Sequence, residues 1–162
     1  MVLAESIARR IRVEAEKRGA SPEEYILDLL VREMDPGEGA VEYLEAARSL
    51  VRQAWRELEK GDLRQAGEKV WGACALAIKA HALARGGRRI ESHRDLWLYK
   101  DEVARELGEW VRTAFLKADS MHRNFYEGLA TKEDVEDSLR EVEKLVSAIS
   151  ERVEGQHRET AT

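Results

Sequence analysis

One cysteine, two prolines and a single asparagine are all that this 162-residue chain holds of those residue types, and each scarcity excludes something. Cys74, alone, allows no intrachain disulfide framework, and its alanine-rich surroundings read as those of a small core residue rather than a nucleophile. Both prolines, Pro22 and Pro36, lie early, so nothing after them carries the residue that most strongly breaks helices. No apolar run approaches the roughly 18 residues that cross a bilayer. The N-terminus also lacks the apolar centre of a signal peptide, so the expectation is a soluble, cytoplasmic protein without membrane contact. Twenty-seven Lys and Arg against 32 Asp and Glu leave a formal charge of −5, which excludes a general polyanion binder. Any nucleic-acid contact must then come from a local basic patch. Few amides and abundant charge suit a hot environment.

What the chain has is helix-forming pattern. The residues are 43% hydrophobic and 36% charged, and apolar positions recur every three or four residues. The expected fold is all-α, an antiparallel up-and-down helical bundle preceded by a helical hairpin. Residues 1–36 form that hairpin within the same domain, 40–154 the bundle, and 155–162 a disordered polar tail. In the hairpin, Leu3, Ile7 and Ile11 share a face of the first helix. Ser21-Pro22-Glu23-Glu24 offers a cap, a first-turn proline and a capping-box Glu, and Ile26, Leu29 and Leu30 are expected to point inward. The segment 35–39, with its proline and glycines, is the internal boundary. A helix over about 40–60 follows, with Ala40, Leu44, Ala47, Val51, Ala54 and Leu58 as one seam. The helix over about 63–85 is apolar around most of its circumference and is therefore central. Helices over 93–107 and about 110–127 follow. The last carries Val135, Leu139, Val142, Val146, Ile149 and Val153, opened by a Thr131/Asp134 capping pair.

Two regions could carry chemistry. The first is the run from Asp119 through Glu127, where Ala114, Ala118, Met121 and Phe125 share the apolar face, His122 flanks it and Arg123 points away. Asn124 is a poor mid-helix residue, which suggests that its amide is used. With His93 and Asp95, the residues His122, Arg123, Asn124, Tyr126 and Glu127 form a candidate polar surface. The second is the one local basic cluster, Arg85, Arg88 and Arg89 leading to Arg94 at a helix start, a candidate anion site. His81 reads as a hydrogen-bonded core histidine, and His157 falls in the tail. No metal-ligand spacing, Gly-rich phosphate loop or nucleophile motif appears, and no cofactor is implied.

Three blocks occur in order: Gly61-Asp62 with Gln65-Ala66-Gly67-Glu68-Lys69-Val70-Trp71-Gly72-Ala73, then Ser92-His93-Arg94-Asp95-Leu96-Trp97, then His122-Arg123-Asn124-Phe125-Tyr126-Glu127-Gly128. Together they resemble the archaeal PaREP family of paralogous-repeat proteins, a group related to the HEPN helical-bundle domains. The resemblance implies a HEPN-like bundle that pairs as a homodimer. It also implies either a nucleotide- or RNA-binding module, or a metal-independent RNase of a toxin–antitoxin or defence system. A bundle that only scaffolds or regulates a protein partner is the remaining expectation. HEPN RNases resemble one another in an Arg, a polar residue and a His four to six residues beyond. Arg123-Asn124 starts that motif, but Gly128 and Leu129 stand where the His would be. Arg88 and His93 have the spacing without sharing a helical face.

Overall fold

The computed structural model describes the backbone of residues 1–161 and the side chains of all of these but 124–127, 157, 160 and 161. The described residues form seven helices and no strand: α1 (Glu5–Lys17), α2 (Pro22–Val31), α3 (Pro36–Lys60), α4 (Leu63–Gly86), α5 (His93–Leu107), α6 (Trp110–Glu127) and α7 (Lys132–Ala161). The fold is an all-α helical bundle.

Capping chemistry places the helix starts. Ser21 Oγ accepts from Glu24 N at 3.1 Å, Asp62 Oδ1 from Gln65 N at 3.0 Å, and Ser92 Oγ from Asp95 N at 3.1 Å. Thr131 and Asp134 make the reciprocal pair, with Thr131 N donating to Asp134 Oδ2 at 2.9 Å and Asp134 N to Thr131 Oγ1 at 3.2 Å. Gly61, at φ 80°, closes α3 in the left-handed conformation that glycine adopts without strain and turns the chain directly into α4.

α4 lies at the centre, in contact with α3, α5, α6 and α7. From Val70 to Leu83 every residue is buried, and the five alanines and Gly72 among them let neighbouring helices come close. The seam of α3 and that of α7 are buried along their lengths, and Phe115 of α6 fills the middle. Burial of these faces supplies the main driving force for the fold.

Several details differ from the sequence-based reading. Pro36 is the first residue of α3 rather than part of a boundary loop, because Asp35 caps the helix through Gly37 N at 3.1 Å and proline suits the first turn. α7 continues through Ala161 instead of giving way to a tail at Gly155. Gln156 Nε2 donates to Ala84 O at 3.2 Å, and that side-chain bond secures the extra turns in place of apolar burial. In the hairpin, Leu3, Ile7, Leu29 and Leu30 are exposed, and the buried residues of α2 are Glu24, Asp28 and Val31. The carboxylate of Glu24, expected in a capping box, turns instead to Lys79.

That last contact seats the hairpin on the bundle. Lys79, buried on α4, holds Glu24 Oε1 at 2.8 Å and Asp28 Oδ2 at 2.8 Å, and Tyr43 donates to Asp28 Oδ1 at 2.6 Å. Burial alone would lower the lysine's pKa, but the two carboxylates outweigh it and the net shift is upward. Beside the cluster, Val31 meets Gly39 so closely that a Cβ there would stand 2.7 Å from Val31 Cγ1 and 2.9 Å from Leu83 Cδ2. Arg89 Nη1 donates to Val31 O at 3.0 Å, and Arg32 pairs with Glu91 at 2.6 Å.

Candidate functional site

The seam that buries α4 against α5 and α6 also brings their polar residues together. Trp71, 4% exposed, belongs to the buried stretch of α4. Its ring meets Phe115 edge-on at 5.4 Å between centroids, His93 at 5.3 Å, and His122 at 5.7 Å with the planes only 28° apart. His93 and His122, far apart in sequence, therefore share one indole.

His93 is the first residue of α5, oriented by the Ser92 cap and by Trp97, whose indole N–H donates to His93 Nε2 at 2.8 Å. That bond makes Nε2 an acceptor, so the neutral ring carries its proton on Nδ1. The same Nε2 lies 3.4 Å from Asp119 Oδ1 of α6, and that oxygen is buried with no hydrogen-bond partner among the described residues. Nε2 cannot accept from Trp97 and donate to Asp119 at once, so the His93 proton decides which neighbour is satisfied. The other oxygen, Asp119 Oδ2, takes Arg123 Nη2 at 2.8 Å across one helical turn. Asp119 is buried, whereas the Arg123 side chain is 67% exposed, so the guanidinium compensates the carboxylate from the solvent side. Arg123 also lies 6.0 Å from the Trp97 ring centroid, and Lys100 Nζ 4.8 Å from it.

A cavity of about 300 Å³ opens beside this cluster. Trp71, Gly72, Glu68 and His122 form its bundle wall, and the turn between α1 and α2, with Arg12, Glu16 and Ser21, forms the opposite one. A second hollow of about 210 Å³ continues under the same turn and shares Ser21, Pro22, Glu68 and Gly72.

Of the expected polar surface, the structure joins His93, His122 and Arg123. Asp95 is half-buried in the first turn of α5, where its backbone N–H meets the Ser92 cap. Asn124, Tyr126 and Glu127 lie outside the residues whose side chains are described, as does His157. The expected anion cluster is largely committed elsewhere. Arg85 pairs with Glu106 and Gln156, Arg89 holds Val31 O, and Arg88 lies 5.4 Å from the Tyr99 ring centroid. Arg94 is exposed on the first turn of α5.

His81 is the core histidine its position suggested. Tyr99 OH lies 2.8 Å from Nδ1 and Glu106 Oε2 2.5 Å from Nε2. Burial pushes its pKa down despite the adjacent carboxylate. Burial opposes ionisation of Glu106 as well, yet hydrogen bonds from Arg85 and His81 hold its carboxyl below the ordinary range. Burial also pushes the Tyr99 hydroxyl up to about 12 and moves the Cys74 thiol upward, leaving that sulfur an inert core group. Among the described residues, no three His, Cys, Asp or Glu side chains converge as a metal cage, and no helix is long and apolar enough to cross a membrane.

Sequence reasoning missed two participants. Trp71 read as core, which it is, and its second role depends on which helices flank it. Asp119 opened the candidate run but stood outside the expected polar surface, although its place one turn from buried Phe115 marks it as close to the interior.

Comparison with known proteins gives one family. The model described as "Archaeal PaREP1/PaREP8 family" matches residues 42–146, a stretch that includes Trp71, His93, Asp119, His122 and Arg123. No curated protein matches. No solved structure matches either.

Proposed function

The chain belongs to the archaeal PaREP1/PaREP8 family, and from that premise and the Trp71 cluster we propose that it is a HEPN-like nucleotide- or RNA-binding module working as a homodimer. The observation that carries this reading is the meeting of His93 and His122, from two different helices, on one buried indole beside a cavity, with Arg123 joined to His93 through Asp119. The chemistry suits a phosphorylated ligand with a ring. Arg123 is a mostly exposed guanidinium able to take a phosphate bidentately, and the aromatic wall of Trp71 and His122 favours a planar group. Leu3, Ile7, Leu29 and Leu30, exposed on the hairpin, support the pairing of two copies.

The test is binding of a short single-stranded RNA, followed by fluorescence anisotropy at rising salt. Affinity is expected to fall with salt, and Arg123→Ala to weaken binding and flatten the slope by about one phosphate contact. Binding indifferent to both salt and Arg123→Ala would overturn the proposal.

One arrangement favours a catalytic version of the same reading. His93 next to buried Asp119, with His122 against the same Trp71 ring, provides two imidazoles that could divide the roles of base and acid in metal-independent RNA cleavage. His122 would then stand in for the histidine missing after Arg123. Cleavage of an RNA pool in chelator, lost in folded His122→Ala and His93→Ala, would establish it. Intact RNA under those conditions would leave binding alone.

A further inference from the structure

Resting on the RNA-binding reading above and deepening it, we infer that His93, Asp119 and Arg123 form a proton-operated switch on phosphate binding. An imidazolium at His93 takes over the buried Asp119 carboxylate and releases the Arg123 guanidinium to a ligand phosphodiester.

A carboxylate closed to water needs a donor or a positive charge against it. Asp119 has one on a single side. Its side chain is 5% exposed, Oδ2 is held by Arg123 Nη2 at 2.8 Å, and Oδ1 has no hydrogen-bond partner among the described residues. Arg123 is therefore committed. A phosphate that drew the guanidinium away would strand a buried charge.

His93 is placed to replace it, with Nε2 3.4 Å from Asp119 Oδ1. The neutral ring cannot do so, because Nε2 accepts the Trp97 indole N–H at 2.8 Å. A proton on Nε2 reverses the contact. The nitrogen becomes a donor, the indole is turned away, and a shift of about 0.5 Å brings the N–H within hydrogen-bond range of Oδ1. Losing the Trp97 bond costs little, since it is only part-buried and water can answer the indole. The His93 side chain is 38% exposed, so the proton arrives from solvent.

The surroundings leave Asp119 as the carboxylate that receives this charge. From α6, His93 faces Asp119 and, through it, Arg123, with His122 on the same indole. From α4 it meets the uncharged Trp71 ring at 5.3 Å. On α5 itself Arg94 and Asp95 follow it in the first turn, and Lys100 Nζ lies 4.8 Å from the Trp97 ring centroid. Arg12, Glu16, Glu24 and Glu68 line the cavity beside His122. Linkage makes the effect reciprocal. A proton on His93 favours an anion at Arg123, and an anion that takes Arg123 favours the proton on His93.

The probe is a short oligouridylate, whose phosphodiesters and bases keep their charge between about pH 5.5 and 8, where histidine changes its own. Circular dichroism confirms the fold at each pH and in each variant. Affinity for the full chain is expected to rise at least about tenfold as pH falls across that range. His93→Phe is expected to stay at the weak level throughout. Asp119→Asn, which leaves Arg123 no charge to hold, is expected to bind tightly at both ends. Trp97→Phe, which removes the competing donor, is expected to tighten binding at the upper end. His122→Phe, whatever its affinity, is expected to keep the rise. A rise that persists in Asp119→Asn, or that vanishes in His122→Phe, would overturn the switch. RNA binding that depends on salt and Arg123 but not on pH would overturn the switch and leave the functional reading standing.

Nitrogen-15 NMR of the Arg123 guanidinium, in the chain without RNA, separates the two. Its Nη signals are expected to show a held group at the upper pH and a freely rotating one at the lower. That release, with no RNA bound at any pH, would uphold the switch and overturn the RNA reading. A guanidinium held alike at both would overturn the switch.

Discussion

Lys79 Nζ stands 2.8 Å from Asp28 Oδ2 in a contact closed to water, and it joins the centre of the bundle to the hairpin that walls the cavity. A buried pair of this kind is a weak source of net stability, but breaking it from one side is expensive because the remaining charge has no solvent. Lys79→Met, which strands two carboxylates, is expected to cost about 3–5 kcal/mol in urea unfolding. Adding Glu24→Gln and Asp28→Asn should recover much of that loss. A single variant as stable as the wild type would show that the hairpin does not sit on Lys79. The raised pKa of Lys79 sets the direction of the pH effect. Its contribution is complete below the unfolded value near 10.5 and disappears as pH rises through the folded value, so the hairpin should loosen first in strong alkali.

Acid acts only two residues further along α4, at His81. In the unfolded chain His81 takes its proton near 6.5, while the folded protein resists it to lower pH, so this contribution is full above about 6.5 and shrinks as pH falls. Glu106, whose folded pKa lies below 4.5, contributes above that value and is lost as pH drops through the folded one. Melting temperature should therefore decline from about pH 7 toward pH 4, and Glu106→Gln should flatten the lower part of the decline. A flat profile in the wild type would contradict the arrangement around His81.

Close approach at Gly39 gives a steric prediction. A methyl group there would meet Val31 at 2.7 Å and Leu83 at 2.9 Å, so Gly39→Ala forces α2, α3 and α4 apart. The expected cost is about 1–3 kcal/mol, in spite of alanine's better helix propensity. A gain in stability on thermal melting would mean that the three helices are not so tightly joined.

The His93 tautomer can be read directly. Nitrogen-15 NMR of the neutral ring should show Nδ1 protonated and Nε2 bare, because Trp97 donates to Nε2 at 2.8 Å. Trp97→Phe removes that donor and frees Nε2 to turn its proton toward Asp119, 3.4 Å away, so the tautomer should switch. An unchanged spectrum in the variant would dissociate His93 from Asp119.

The Thr131/Asp134 pair offers a smaller, local test. Thr131→Ala removes the acceptor for Asp134 N at the start of α7, at an expected cost of about 1 kcal/mol in urea unfolding. No change would place the start of α7 elsewhere.

The helices were legible in the amino-acid sequence because their causes are local. The seams of α3, α4 and α7 repeat at helical pitch, and Ser21, Asp62, Ser92 and Thr131 cap within three residues of themselves. The same locality explains the failures. Leu29 and Leu30 looked inward by pattern, but Lys79, some fifty positions away, decided that Glu24 and Asp28 would take that face. Gly155 looked like the start of a tail until Gln156 found the carbonyl of Ala84 on a neighbouring helix. For the candidate site, the residue types could be named from sequence, but their company could not. That His93 and His122 share Trp71, and that Arg85 and Arg89 spend their charge on Glu106 and Val31, depends on which helices lie side by side. Periodicity and caps act over one or two turns and are written in neighbouring residues. Side-chain pairing across the core is a long-range property, and only the folded chain brings those groups within reach of one another.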